Sequence, residues 1–355
     1  MYKFLSKLLL FTLQPELARS IVDFFLKREK IWEILSPVFE IRDSKLKVDL
    51  CGLKLNNPVG LAAGFDKNCE LISPLSNLGF GYLVVGTVTE NPKPGNPKPR
   101  IFRYLKEESL INSLGFPNNG LEHSARELEK IQFQLNRTSL ITSVSGTSVN
   151  QIVRCHQRLE PLSNAIEINI SSPNTKGLKI FQEPSMLCNL IGKINESRSK
   201  PLLLKMTPYK HPKSNDDNKE RDEVMELIKV CLANGVNGLT IANTRITKDA
   251  RLSSGTGGLS GRLLFQDTIR MISEIKSEVG NKIDLNACGG IFTGQEAWEA
   301  LQAGATTIQL YTGMIYVGPS VVKQINKDLI DLINKTKTQS LQSSLPQTRY
   351  TDTIP

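Results

Sequence analysis

Eight short apolar runs, separated by helix-like stretches, constrain this chain more than any other feature. They fall at residues 59–63, 82–88, 140–145, 165–170, 202–206, 238–242, 283–287 and 307–311. Most are near-continuous hydrophobic runs, as strands buried on both faces of a parallel sheet read. The helical stretches at 222–233 and 295–303 are followed by Gly235 and Gly304, which fit helix C-caps. Each of these helices leads straight into the next strand, so one unit repeats. Eight alternating units over about 300 residues predict an α/β chain folded as a (β/α)8 TIM barrel, not an open doubly wound sheet. An open sheet commonly carries a Gly-x-Gly-x-x-Gly turn after its first strand. Here Ala62, Ala63, Gly64, Phe65, Asp66 and Lys67 stand there instead.

Residues 1–40 break the pattern. Residues 1–13 read MYKFLSKLLLFTL, and Pro15 and Glu16 open a second helical stretch to about Lys27. Neither apolar run approaches the roughly 20 residues needed to span a bilayer. No small-residue cleavage site follows, so a cleaved signal peptide is not expected. Two short amphipathic helices with basic flanks fit a segment lying on a membrane surface. Packing on the main domain is the other reading, and the residues alone leave both open. The expected organisation is a helical segment at 1–40, a barrel at 41–336 and a frayed tail at 337–355.

Two insertions interrupt the repeat. Residues 91–100, NPKPGNPKPR, must be extended or turn-like, and residues 101–104 fit an extra strand. Residues 207–221 are polar and read as a surface loop.

The net charge of +9 comes from basic residues spread along the chain without a long run, so nucleic acid is not the expected partner. None of the six cysteines forms a Cys-x-x-Cys pair, which fits a reduced, intracellular protein. The three histidines lack ligand spacing, so no metal is expected.

In a TIM barrel the carboxyl ends of all strands face one site. Residues 169–175, NISSPNT, set two amides and three hydroxyls at the end of the fourth run. Taken alone, such a cluster also fits an ordinary turn. The other strand ends supply Gly64, Asp66 and Lys67; Thr87; Lys205; Asn243 and Thr244; Gly290; and Tyr311 and Thr312. This set lacks the paired carboxylates of glycoside hydrolysis and the ligands of metal-assisted hydrolysis. It fits a planar, amide-like, phosphorylated cofactor, with glycines late in the barrel for phosphate and a lysine for developing negative charge.

Several segments resemble the dihydroorotate dehydrogenases. They are NPVGLAAGFDK at 57–67, GTVT at 86–89, PRIFR at 99–103, INSLGF at 111–116, NISSPNT at 169–175, GGLSG at 257–261 and QLYT at 309–312. The matches run in the family's order from about residue 45 to 335. Serine at 172 where other members carry cysteine, together with the N-terminal extension, resembles the membrane-associated, quinone-dependent class 2.

The resemblance implies FMN as cofactor and oxidation of (S)-dihydroorotate to orotate, the fourth step of de novo pyrimidine synthesis. It implies Ser172 as the base at C5, with Thr175 relaying its proton. Lys67, Asn112, Asn169, Asn174, Asn243 and Thr244 would grip the substrate under a loop of Asn112, Ser113, Leu114, Gly115 and Phe116. Ala62, Ala63, Gly64, Phe65, Asp66, Thr87, Asn169, Lys205, Gly261, Gly290, Tyr311 and Thr312 would hold FMN.

Arg103 and Arg19 would lie on the quinone side, with residues 1–40 forming a tunnel. A monomer on the cytoplasmic face of a bacterial inner membrane is the expected setting. Three positions depart from the family: Ser143 for an asparagine, Ala242 for a threonine, and Arg19 for a histidine. A class 1-like enzyme with a soluble acceptor, an FMN barrel acting on uracil in RNA, and a barrel that has lost turnover remain as alternatives.

Overall fold

The computed structural model describes residues 9–131, 138–173, 175, 177–210, 218–336 and 339–344. Eight parallel strands hydrogen-bond in chain order and close on themselves. They are Val59–Leu61, Tyr82–Val88, Ser139–Val144, Ala165–Asn169, Leu202–Lys205, Gly238–Ile241, Asp284–Cys288 and Thr307–Leu310. The eighth pairs back onto the first, so the fold is a (β/α)8 barrel. All residues of the first, second, fourth, fifth, sixth and eighth strands are buried. Burial on both faces is why these strands read as continuous apolar runs.

The outer helices stop where the chain can reverse. Gly235 and Gly304 take φ of +68° and +115° just past helices Lys219–Ala233 and Gly294–Gln302. The expected surface loop therefore ends earlier than residue 221, because Lys219 already begins a helix; residues 211–217 lie outside the described residues.

The amino end of the barrel is closed by a hairpin that the apolar-run pattern did not predict. Strands Val48–Leu50 and Leu53–Leu55 pair antiparallel. Val48, Leu50 and Leu55 form one buried cluster with Tyr82, Val84, Ile141, Ala165 and Leu203. Each aliphatic side chain so buried contributes about 1.5–3 kcal/mol. Tyr82 fills the interior only because Gly60 has no Cβ; one placed there would overlap the phenol ring.

The carboxyl end is roofed by a four-stranded antiparallel sheet. Its order is Arg245–Lys248, Thr256–Gly261, Ser109–Asn112, Ile101–Tyr104. The expected strand at 101–104 is present, and its three partners are additions. They come from the insertions after the second and sixth barrel strands and bring Asn112 opposite Gly258.

Among the described residues the helices Pro15–Leu26 and Glu29–Phe39 precede the barrel. The first of them is the helical stretch expected from Pro15 to about Lys27. Residues 1–8 lie outside the described residues, and 10–13 form a turn rather than part of a helix. The helix Glu29–Phe39 was not expected, because basic and acidic residues masked it in the sequence. No described helix is long and apolar enough to cross a membrane.

Candidate active site

The carboxyl strand ends and the roof line a cleft whose free space, open solvent included, is about 1040 Å³. Ala62, Ala63, Gly64 and Lys67 line it from the first strand, and Thr87 from the second. Asn169, Ser172 and Lys205 enter from the fourth and fifth strands. Ala242, Asn243 and Thr244 follow the sixth, while Gly290, Tyr311 and Thr312 follow the seventh and eighth. Asn112, Leu114, Gly115, Phe116 and Gly261 reach in from the roof and its loop.

An amide and hydroxyl network fixes the centre. Asn169 Nδ2 donates to Thr87 Oγ1 at 3.1 Å, and its Oδ1 accepts from Asn243 Nδ2 at 3.3 Å. Asn243 Nδ2 also donates to Ser171 Oγ at 3.0 Å. Thr244 N donates to Asn243 Oδ1 at 2.7 Å, and Asn112 Nδ2 donates to Gly258 O at 3.3 Å. These bonds set which amide edge each asparagine turns to the cleft. The Ser172 and Thr175 hydroxyls are 3.3 Å apart.

Lys67 sits at the rim. Burial, with Arg19 nearby, pushes its ammonium down to about 7. Lys205 lies deeper, beside the Cys288 Sγ at 3.9 Å.

Several expected residues stand outside the cleft lining. The Asp66 carboxyl accepts from the backbone of Glu70 at 3.0 Å and Leu71 at 2.8 Å, so it caps a turn. Phe65 is buried under Arg19, whose guanidinium lies 4.5 Å above its ring. Arg19 also donates to Phe65 O at 2.5 Å and pairs with Asp23 at 2.7 Å. Ser113 faces away, its buried hydroxyl without a hydrogen-bond partner among the described residues. Thr175 reaches the cleft only through Ser172. Asn174 lies outside the described residues. Arg103 donates to Leu10 O at 3.2 Å and Leu13 O at 3.0 Å, and covers the Phe11 ring at 5.0 Å.

Ser143 does not reach the cleft either. It is fully buried, with its Oγ 3.1 Å from Thr87 Oγ1, and so backs the threonine that does.

The loop over the cleft is strapped in place. Asn96 N donates to Leu114 O and Asn96 Nδ2 to Ser113 O, both at 2.9 Å. Arg100 Nη1 donates to Pro94 O and Asn96 O at 2.9 and 3.0 Å. The same guanidinium grips Glu16 of the N-terminal helix at 2.9 and 3.1 Å.

Sequence reasoning gave Cys288 no place in the site, and quoted Ser171, Ser260 and Gln309 only within motifs. Gln309 lines the cleft with a buried Oε1 that no described residue bonds. Its signal was its spacing: it lies two residues before Tyr311 on the same strand face.

The sequence profile of the family described as Dihydroorotate dehydrogenase matches residues 45–333. The chain belongs to that family. Membership makes it an oxidoreductase. A relative from Sulfurimonas denitrificans, named dihydroorotate dehydrogenase (quinone), is 33% identical over 91% of this chain and 92% of its own. A Thermus thermophilus relative of the same name is 33% identical over 94% and 97%. The crystal structure of an Eimeria tenella dihydroorotate dehydrogenase in complex with ferulenol superposes with a TM-score of 0.80. It is 30% identical and covers 94% of this chain and 95% of that one. Dihydroorotate dehydrogenases of this group thus share the barrel and the N-terminal stretch, not the core alone.

Proposed function

We propose that this chain oxidises (S)-dihydroorotate to orotate on bound FMN and passes the electrons to a membrane quinone. The observation that carries the reading is the convergence of Ser172, Asn112, Asn169, Asn243 and Lys205 on one roofed cleft. The donor set fits FMN. Gln309 Oε1, which no described residue bonds, offers an acceptor to a cofactor N–H, Lys205 offers a cation, and Thr87 and Asn169 offer further polar contacts. FMN, when bound, supplies the acceptor for the hydride that leaves C6 of the substrate.

The protein's own groups do the rest. Ser172 takes the C5 proton as its own hydroxyl proton passes to the adjacent Thr175 hydroxyl, which releases its proton to water. The asparagines present donor and acceptor together to the ring amides of the substrate, and Lys67 pairs with its carboxylate. Asn174 has the same substrate role in this reading. The Asn112-to-Phe116 loop excludes water.

Residues 1–40 form the quinone-side segment in this reading, next to a barrel domain over 41–336. Leu17, Phe24, Phe25, Ile31, Ile34 and Val38 are large apolar side chains left exposed on its two helices. That surface supports peripheral seating of a monomer on a membrane. Arg19 and Arg103 line the quinone's approach.

The test is the visible spectrum before and after anaerobic dihydroorotate. A flavin band that bleaches supports the reading, and one that persists sinks the substrate assignment. Deleting residues 1–40 is expected to abolish quinone reduction while leaving that bleaching. Intact quinone turnover would remove the tunnel assignment.

A further inference from the structure

Beneath the cleft lies a buried acid to which the roles above give no part. Glu167 is two residues before Asn169 on the fourth strand, so both side chains enter the barrel. Its exposure is 0%. Thr240 Oγ1 donates to its Oε2 at 2.7 Å. Behind Thr240 stands a chain of donors. Asn286 Nδ2 donates to Thr240 Oγ1 at 3.4 Å, the Thr307 hydroxyl donates to Asn286 Oδ1, and the Tyr82 hydroxyl lies 2.9 Å from that of Thr307. With the Thr307 proton given to Asn286, Tyr82 is the donor of that last contact. Five of the eight strands contribute; the bonds from Thr307 through Asn286 and Thr240 run towards Glu167, while Tyr82 shares its one proton between Thr307 and Ile308 O. Donors aligned in this way polarise one another and stabilise negative charge at their end.

The other oxygen, Oε1, has no hydrogen-bond partner among the described residues. The fifth strand runs between the fourth and sixth, and Lys205 on it is in register with Asn169 on one side and Thr240 on the other. The Glu167–Thr240 bond therefore joins the two strands that flank Lys205 inside the barrel. We propose that Glu167 is a positioning residue, a fixed counter-charge that keeps Lys205 protonated and directed into the cleft. This inference rests on the FMN reading.

Burial alone pushes the Lys205 ammonium down; Cys288 and Glu167 act against it, and the net direction is up. The Cys288 thiol is itself pushed up by burial, so it carries no charge at neutral pH. Tyr82, which faces Glu167 and Cys288 from across the barrel, is held un-ionised by the same cause. Among the titratable groups facing Lys205, Glu167 is the one left to supply the negative charge. A lysine held as ammonium stabilises the charge that reduction brings to the cleft, at any working pH.

The test compares the parent with Glu167→Gln, reading the flavin midpoint potential and the rate of bleaching by dihydroorotate from about pH 6 to 9. Gln keeps the acceptor for Thr240, so FMN is expected to stay bound. The potential is expected to gain a break in this range that the parent lacks. Bleaching at pH 9 is expected to fall about tenfold or more against the parent, as Lys205 loses its proton. In a Lys205→Met background Glu167→Gln is expected to change neither profile. Superimposable parent and Glu167→Gln profiles would overturn the proposal.

Should Glu167→Gln not fold, recovery of folding in the double variant would assign the failure to an unpaired ammonium and support the pair. A double variant that also fails would make Glu167 a strut and overturn it. If the parent bound no flavin, the FMN reading would fall by itself. Thermal denaturation of the four variants would then decide the pair, with coupled losses supporting it and additive losses overturning it.

Discussion

The two ends of the barrel are built from the same strands and differ in what they bury. At the amino end, Val48, Leu50 and Leu55 plug an interior filled by Tyr82, Val84 and Leu203. At the carboxyl end the same strands finish in Asn169, Lys205 and Thr312, under a roof sheet. Apolar area removed from water stabilises the first end, whereas the second spends stability on burying polar groups that must find partners. The contrast teaches that this fold separates holding together from reacting along one axis.

The comparison can be broken at either end. The largest effect is expected from Ser172→Ala. Loss of the proposed base should slow flavin bleaching by dihydroorotate about 10²–10⁴-fold while leaving the melting temperature unchanged. An unchanged bleaching rate would remove Ser172 from the chemistry. Gly60→Ala should do the reverse. Its Cβ would overlap the Tyr82 ring, and overpacking costs about 1–3 kcal/mol in chemical denaturation. A variant as stable as the parent would show that the interior is looser than its packing implies.

The smallest effect concerns Lys67, at the rim between the two regimes. Its ammonium is pushed down to about 7 by burial, and a bound carboxylate raises it again. Anion binding is therefore strongest below about pH 7 and weakens as pH rises, by up to about tenfold per unit. Orotate titrations by calorimetry would read this, and a dissociation constant flat from neutral to alkaline pH would count against Lys67 as its partner.

The eight barrel strands were legible because double-sided burial leaves an unbroken apolar signature. The roof was not, apart from residues 101–104. Arg245–Lys248 alternates intermediate and exposed positions, and Thr256–Gly261 reads TGGLSG, which carries no strand signal. These strands exist because three neighbours accept their hydrogen bonds, a tertiary cause.

In the site, strand ends located the cleft, yet Asp66 turned out to cap a turn and Phe65 to pack under Arg19. Glu167 was passed over inside an apolar run. Its two-residue spacing from Asn169 was the available sign that it faces inward.

Arg100 has a consequence for how the molecule moves. Its side chain is 11% exposed, and the guanidinium is shared between Glu16 on the N-terminal helix and the segment that straps the Asn112-to-Phe116 loop. The helix with its greasy outer face and the flap over the water-soluble reactant hang from one hinge pin. A shift of either is therefore expected to load the bonds that hold the other.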